Sequence, residues 1–371
     1  MIRILHTGDV HLGRAYHRQA QTYPTVAARC HNARLEALRN VVILAGRQRC
    51  DFLVIAGDLF DNKSVSVQLQ KKTASILSDC ACPVLILPGN HDYYEGANDT
   101  LWSKFMQFAD DNIILCTERR PLEMGNVLFY PCACTDRYSS NNALDWVKAW
   151  TIYPETSIHV GVAHGALEGL SCDIEKRYYS MTRRELERCP MDVWLLGHTH
   201  TPSPNQDIIT GQHIFNAGTP QQTDVSNNTN GSAFLIEIDN EKKVTARKYT
   251  TGVIHFDMLR LALRHGQSLQ ALIESAVHTY DKPNTLLRLE ITGVASTEDF
   301  QERESIYAEF RRQFLSFVTV DSALQPEITP AMIEAETIAD SIENRLLKLY
   351  IEQPDLLNLA YELVKECKGE L

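Results

Sequence analysis

Along the first 250 residues, short apolar runs alternate with longer stretches in which apolar positions recur at helical spacing. The runs predict strands at 2–6 (IRILH), 52–56 (FLVIA), 83–87 (PVLIL), 127–130 (VLFY), 158–163 (IHVGVA), 193–196 (VWLL), 213–216 (HIFN) and 233–238 (AFLIEI). The longer stretches predict helices at about 25–48, 65–79, 99–108, 140–150 and 180–188. Several of the strands have no polar face, which requires sheets covered on both sides. Such alternation is that of an α/β layered fold, and in an α/β sheet the functional groups gather where strands end and loops begin.

From about residue 255 the pattern changes. Leu269, Leu272, Ile273, Ala276, Val277 and Tyr280 form one face of a helix at 268–280 that Ser268 opens as a cap. Leu287, Leu289 and Ile291 alternate as a strand, Phe300, Tyr307, Phe310 and Phe314 mark a helix at 297–316, and 317–320 (FVTV) reads as a strand. This is a small α+β unit. Two further helices close the chain. Thr329-Pro330 starts the first, with Ile338, Ile342, Leu346 and Leu349 as its stripe, and after Pro354 a second stripe runs through Leu356, Ala360, Leu363 and Cys367. These stripes read first as faces packed on the chain's own core, and otherwise as a docking hairpin for a partner protein. The division that follows is 1–252, 253–325 and 326–371.

Composition narrows the classes. No apolar run approaches the roughly 20 residues that span a bilayer, and MIRILHTGDVHLG has no secretory signal pattern, so the expected location is cytoplasmic, with no membrane partner. In a reducing compartment the ten cysteines are not expected to form disulfides. The pairs Cys80/Cys82 and Cys132/Cys134 read as small buried hydrophobes, since no His or second pair stands at zinc spacing. Of the formal charge of −11, residues 255–371 carry −9, from 11 basic and 20 acidic residues. The catalytic part is left nearly neutral, so attraction of a polyanion would rest on local patches and metal ions.

Five short motifs fall at predicted strand exits: Asp9-Val10-His11, Gly57-Asp58-Leu59-Phe60-Asp61, Gly89-Asn90-His91-Asp92, Ala163-His164-Gly165 and Gly197-His198-Thr199-His200. A glycine before the first polar residue lets the chain turn sharply and approach whatever the side chains hold. A spacing of two puts both side chains of D-x-H and H-x-H on one face of extended chain, where they can converge on one ion. Carboxylate, amide oxygen and imidazole together favour manganese, iron or zinc. A shared Asp can bridge two such ions about 3.5–4 Å apart, the spacing that clamps an in-line phosphoryl displacement. No GxxxxGK[ST] motif occurs, which argues against a P-loop.

In order and spacing these motifs resemble the calcineurin-like metallophosphoesterases, and HTGDVHLGR and GDLFD are most similar to the SbcD-like DNA-repair nuclease branch. The likeness is strong over 1–220 and only architectural beyond about 255. The resemblance implies two β-sheets sandwiched between helices, followed by a small α+β capping domain and an attachment segment for an SMC-like ABC ATPase of the SbcC type. It implies one metal held by Asp9, His11 and His200, a second by Asn90, His164 and His198, and Asp58 bridging them. It further implies that His91 stabilises developing charge and protonates the leaving oxygen, that Asp61 orients His91, and that helices matching 25–48 and 92–108 pair in a homodimer.

The remaining candidates are supporting ones. Asp92 is expected to orient a neighbour, Asn216 and Thr219 to line the pocket, and His6, His159 and His213 to be structural. Arg14, His17, Arg18, Lys176, Arg177, Arg183 and Arg184 are candidates for non-specific phosphate contact. The leading expectation is a Mn2+-dependent DNA nuclease working with the ATPase. The alternative is a phosphodiesterase or phosphatase for small nucleotides or phosphoproteins on the same centre. A purely structural subunit is disfavoured, because every ligand and His91 are present.

Overall fold

The computed structural model describes residues 1–16, 24–171, 173–226 and 229–368. It divides into two compact units, Met1–His255 and Phe256–Leu371.

In the first unit the wholly apolar runs become the centres of two sheets. One has seven strands, with β1 (Ile2–Thr7), β2 (Phe52–Ala56), β3 (Val84–Leu87) and β4 (Ile113–Leu115) parallel on one side. On its other side β11 (Ser232–Ile238) pairs antiparallel with β1, followed by β12 (Val244–Thr250) and the edge strand β9 (Ile208–Thr210). The second sheet has five strands. β6 (Val127–Cys132), β7 (Ile158–His164), β8 (Val193–Gly197) and β10 (Ile214–Asn216) are parallel, and β5 (Leu122–Met124) is antiparallel at the edge.

Side-chain alternation along the strands makes three apolar layers. Between the sheets lie Ile4, Val54, Leu85, Phe129, Val160, Val162, Leu195, Phe215 and Phe234. On the outer face of the first sheet Leu5, Leu53, Ile55 and Ile86 pack with Leu38, Val41 and Val42 of helix α1 (Pro24–Arg47), with Leu77 of α2 (Val67–Ser78), and with Trp102 and Phe105 of α3 (Leu101–Phe105). On the outer face of the second, Tyr130, Ala163, Trp194 and Leu196 meet Val147 of α4 (Asp145–Ala149) and Leu186 of α5 (Arg183–Arg188). The result is an α/β/β/α sandwich, the layered fold that the apolar patterning predicts. No described helix is long and apolar enough to cross a membrane.

In the second unit β13 (His255–Leu263), β14 (Thr285–Ala295) and β15 (Ser316–Pro326) form a three-stranded sheet. It is packed by Ile273 and Val277 of α6 (Leu269–Val277) and by Tyr307 and Phe310 of α7 (Thr297–Gln313). The closing segment departs from expectation in two ways. It holds three helices, α8 (Pro330–Glu336), α9 (Ile342–Lys348) and α10 (Pro354–Lys368). The expected stripe also faces outward: Ile338, Ile342, Leu346, Leu349, Leu356 and Leu363 are exposed, whereas Ile333, Leu347, Leu357, Ala360 and Tyr361 form the buried cluster. The reason is a helix break. Thr337 caps α8, Asp340 takes a left-handed φ of 61°, and Ser341 starts a new helix by accepting from Asn344 N, so the 3.6-residue phase restarts.

Candidate metal centre

The parallel strands of both sheets deliver their carboxyl ends to one place. Asp9 and His11 follow β1, Asp58 follows β2, Asn90 and His91 follow β3, His164 ends β7, and His198 and His200 follow β8. The chain leaves these strands abruptly. Asp9 (φ 52°), His11 (48°), Asp58 (52°) and His198 (96°) all sit in the left-handed region, which costs a non-glycine residue about 1–3 kcal/mol. Main-chain bonds hold them there, from Asp9 N to Gly57 O (3.0 Å) and from His11 N to Asp58 O (2.9 Å). Two glycines make room. A Cβ on Gly57 (φ 89°) would lie 2.0 Å from His164 Nδ1, and one on Gly89 would lie 2.2 Å from Asp58 Oδ1.

All seven residues expected as ligands come together, in two groups. Asp9, His11 and His200 have ligand atoms within 4.8 Å of one another, with His11 Nε2 and His200 Nε2 only 2.9 Å apart. In the second group Asn90 Oδ1 lies 3.0 Å from His164 Nε2 and 3.1 Å from His198 Nδ1. Asp58 Oδ2 stands between the groups, 3.7 Å from His11 Nε2 and 3.4 Å from His164 Nε2. Asp9, His11, Asp58, Asn90 and His164 are buried, whereas His198 and His200 are only partly so, which leaves one open side.

The surroundings aim these groups. His164 Nδ1 faces the main-chain oxygen of Ala56 at 2.9 Å, so Nδ1 carries a proton and Nε2 points inward. The main-chain N–H of His198 donates to both carboxylate oxygens of Asp9, at 3.1 and 2.9 Å, which fixes its rotation. Asp92, fully buried, accepts from Gly89 N and Phe60 N and so ties the β3 loop to the β2 loop.

The calcineurin-like phosphoesterase profile matches residues 2–202, over half of the chain and the whole of this ligand set. This chain is a calcineurin-like phosphoesterase. Among curated members, YhaO of Bacillus subtilis, described as an uncharacterized metallophosphoesterase, is 24% identical over 247 residues, 64% of this chain and 58% of its own length. The DNA double-strand break repair protein Mre11 of Haloferax volcanii is 24% identical over 303 residues, 80% of this chain and 63% of its own. The chain thus spans less than two thirds of either relative. A dimetal phosphatase from Danio rerio superposes over 68% of this chain and 99% of its own at 12% identity, with a TM-score of 0.39.

The donor set of this phosphoesterase fits divalent cations. His164 Nε2 faces two oxygens, Asn90 Oδ1 and Asp58 Oδ2, while its other nitrogen is already committed to Ala56. Oxygen lone pairs and a nitrogen lone pair converge without a cation only if the ring is doubly protonated. Burial works against that, yet Asp58 and Asp9 together lift His164 to about 10. Burial likewise pushes the Asp9 carboxyl up to about 8, with Asp58 adding to the effect, and burial brings His198 down to about 4. A divalent charge would take the place of the proton that Asp58 and Asp9 hold on His164, and would relieve the burial that drives Asp9 towards neutrality and His198 off its charge.

One expected role changes. His91 Nδ1 is held at 2.8 Å by the main-chain oxygen of Asp61, not by its carboxylate, whose Oδ1 lies 3.2 Å from His11 Nδ1. Asp61 lies three residues past the left-handed Asp58; its carbonyl meets His91 in the β3 loop and its carboxylate meets His11 in the β1 loop. Asn216 and Thr219 do not line the opening. Asn216 Nδ2 donates to the carbonyls of Thr199 and Thr201, and Thr219 Oγ1 donates to that of Asp9 (2.8 Å). His6, His159 and His213 lie in the strand framework, bonded to Leu196 O, Tyr130 Oη and Asp192 O. Of the basic candidates, Arg14 pairs with Asp224 and Arg177 with Glu175, Lys176, Arg183 and Arg184 are exposed, and His17 and Arg18 lie outside the described residues. The sequence gives no hint of Tyr178, whose ring lies 5.2 Å from that of His198, or of the buried Arg34.

Proposed function

We propose that this phosphoesterase is a cytoplasmic Mn2+-dependent DNA nuclease, cleaving phosphodiester bonds exo- or endonucleolytically or both, in DNA repair or defence. The observation that carries the choice of DNA is an aromatic platform at the open side of the centre. Tyr178 lies over His198 with an interplanar angle of 33°, the half-exposed Tyr138 lies 5.5 Å from Tyr178, and the Arg137 guanidinium stands 5.8 Å over Tyr138. Adjacent tyrosines with an arginine form a stacking surface for unpaired bases, and a phosphate joined to such a base would reach the metals. The Haloferax volcanii relative, named as a double-strand break repair protein, supports the same reading.

In this reading Asp9, His11 and His200 hold one cation, Asn90, His164 and His198 the other, and Asp58 reaches both. Bound divalent ions supply Lewis acidity towards the phosphate and make water a better nucleophile at neutral pH. His91 stands within 4.8 Å of the ligand atoms of His11 and Asp58. With Nδ1 tied to Asp61 O, Nε2 is the nitrogen left to steady developing charge and to give a proton to the leaving oxygen.

The partner proposed is an SMC-like ABC ATPase of the SbcC type. Its seat would be the apolar face that Ile342, Leu346 and Leu349 expose along α9, with Ile338 exposed in the turn before it, for which the described residues of the second unit offer no cover. Ile342→Glu with Leu349→Glu is expected to abolish co-purification with the ATPase while leaving nuclease activity intact. A homodimer through α1 is also proposed, where Ile43 is half exposed.

The net −9 of residues 255–371 favours the other reading, a phosphodiesterase for small nucleotides or a phosphatase. One assay separates them: end-labelled linear DNA and bis-p-nitrophenyl phosphate, each with Mn2+, for wild type and Tyr178→Ala. The nuclease reading expects DNA degradation that falls at least tenfold in Tyr178→Ala, with hydrolysis of the small ester retained. Activity on the small ester alone would sink it.

A further inference from the structure

Arg34 lies on the inner side of α1 and is 1% exposed. Its partners are uncharged. Nη1 donates to the carbonyl of Val10 (2.8 Å), Nε to Tyr16 Oη (2.8 Å), and among the described residues Nη2 has no hydrogen-bond partner. Among the described residues no carboxylate pairs with it. A buried guanidinium left without a counter-charge is costly, and replacing such a group by an apolar one often stabilises a fold. Its charge does not help the centre either, since a fixed cation beside two divalent ions opposes their binding. What remains is geometry: a planar fork of donors that holds an acceptor in one place.

That acceptor belongs to the residue between two ligands. Asp9 and His11 flank Val10 and are both left-handed. Their N–H groups are tied to Gly57 O and Asp58 O, and the Asp9 carbonyl is held by Thr219. The His11 carbonyl accepts from Arg14 N (3.2 Å), and the Val10 carbonyl is held by Arg34. We infer that Arg34 is a positioning residue, keeping the Asp9–His11 turn in the conformation that lets both side chains meet one divalent cation. The inference rests on the dinuclear reading of the site.

The test is Mn2+ titration of metal-stripped full-length protein by calorimetry, with thermal melting in EDTA alongside, for wild type, Arg34→Met, Arg34→Lys and Tyr16→Phe. Wild type is expected to bind two equivalents. In Arg34→Met one equivalent weakens 10–100-fold, the usual effect of removing a group that orients a ligand, while the other stays within about threefold and melting in EDTA is not lowered. Arg34→Lys, with the charge kept and the fork lost, falls between, and Tyr16→Phe, which keeps the bond to Val10, stays near wild type. Unchanged Mn2+ affinity in Arg34→Met with a lowered melting temperature would mean a merely structural arginine and would overturn the inference. If Arg34→Met does not fold, Arg34→Lys decides, and wild-type affinity for both equivalents in that variant overturns it equally. Fewer than two equivalents in the wild type would instead bring down the dinuclear reading, and this inference with it.

Discussion

At the residue scale, the division of labour between His91 and Asp61 makes opposite demands on two substitutions. On the proposed roles, His91→Ala would remove the proton donor and leave the seven proposed ligands in place, so its rate is expected to fall about 10²–10⁴-fold with Mn2+ binding retained. Asp61→Ala leaves the main-chain bond to His91 in place and removes the carboxylate beside His11. Its main effect is expected on metal affinity, with kcat at saturating Mn2+ reduced less than in His91→Ala, and single-turnover kinetics across a Mn2+ series would show the split. His6 gives a prediction in pH. Burial lowers it from 6.5 to about 4, so it is neutral when folded and takes up a proton on unfolding. Its contribution is full above about 6.5 and is lost as pH falls towards 4, at about 1.4 kcal/mol per pH unit. Denaturant unfolding in EDTA should show a slope shallower by that amount in His6→Gln, and equal slopes would exclude the account. Ligand residues were legible one by one, because motif order and residue type both point at metal. Arg34 was not, because an arginine in an amphipathic helix reads as solvent-facing.

At the element scale, the strands that lead into the site are most legible where an apolar run ends in a glycine and a polar residue, as Ile55-Ala56-Gly57-Asp58 does. The burial that makes the run apolar and the turn that makes the site are written side by side. The edge strands Ile113–Leu115, Leu122–Met124 and Ile208–Thr210 were not legible, since three residues carry no period, and Val244–Thr250 (VTARKYT) is too polar to stand out. The closing helices misled for another reason: a spacing of four across residues 338–349 imitates one helix, and only the turn at Asp340 shows that it is two. Gly57 tests the strand-exit argument. Gly57→Ala meets both a left-handed φ and a clash with His164, so a loss of at least about 2 kcal/mol is expected, with metal binding impaired in whatever folds. Chemical denaturation of the metal-free protein measures the first part, and a change below about 0.5 kcal/mol would contradict it.

At the scale of the whole molecule, the centre draws on both sheets. Asp9, His11, Asp58 and Asn90 come from the first, and His164, His198 and His200 from the second. Metal removal should therefore be felt beyond catalysis. By mass action, Mn2+ at about 100 times its dissociation constant adds about 2.7 kcal/mol for one site, so EDTA should lower the melting temperature by several degrees, and added Mn2+ should restore it. An unshifted melting curve would mean that the cation is held by neither sheet in the folded state. The seam between the sheets has a consequence of its own. With a cation held as proposed, one layer could slip past the other only if the ion first shed half its grip, so metal would act as a latch against shear of the sandwich. In a cell starved of that ion the earliest sign would then be nicking by proteases at the loops around the seam, while the bulk of the protein still looks folded.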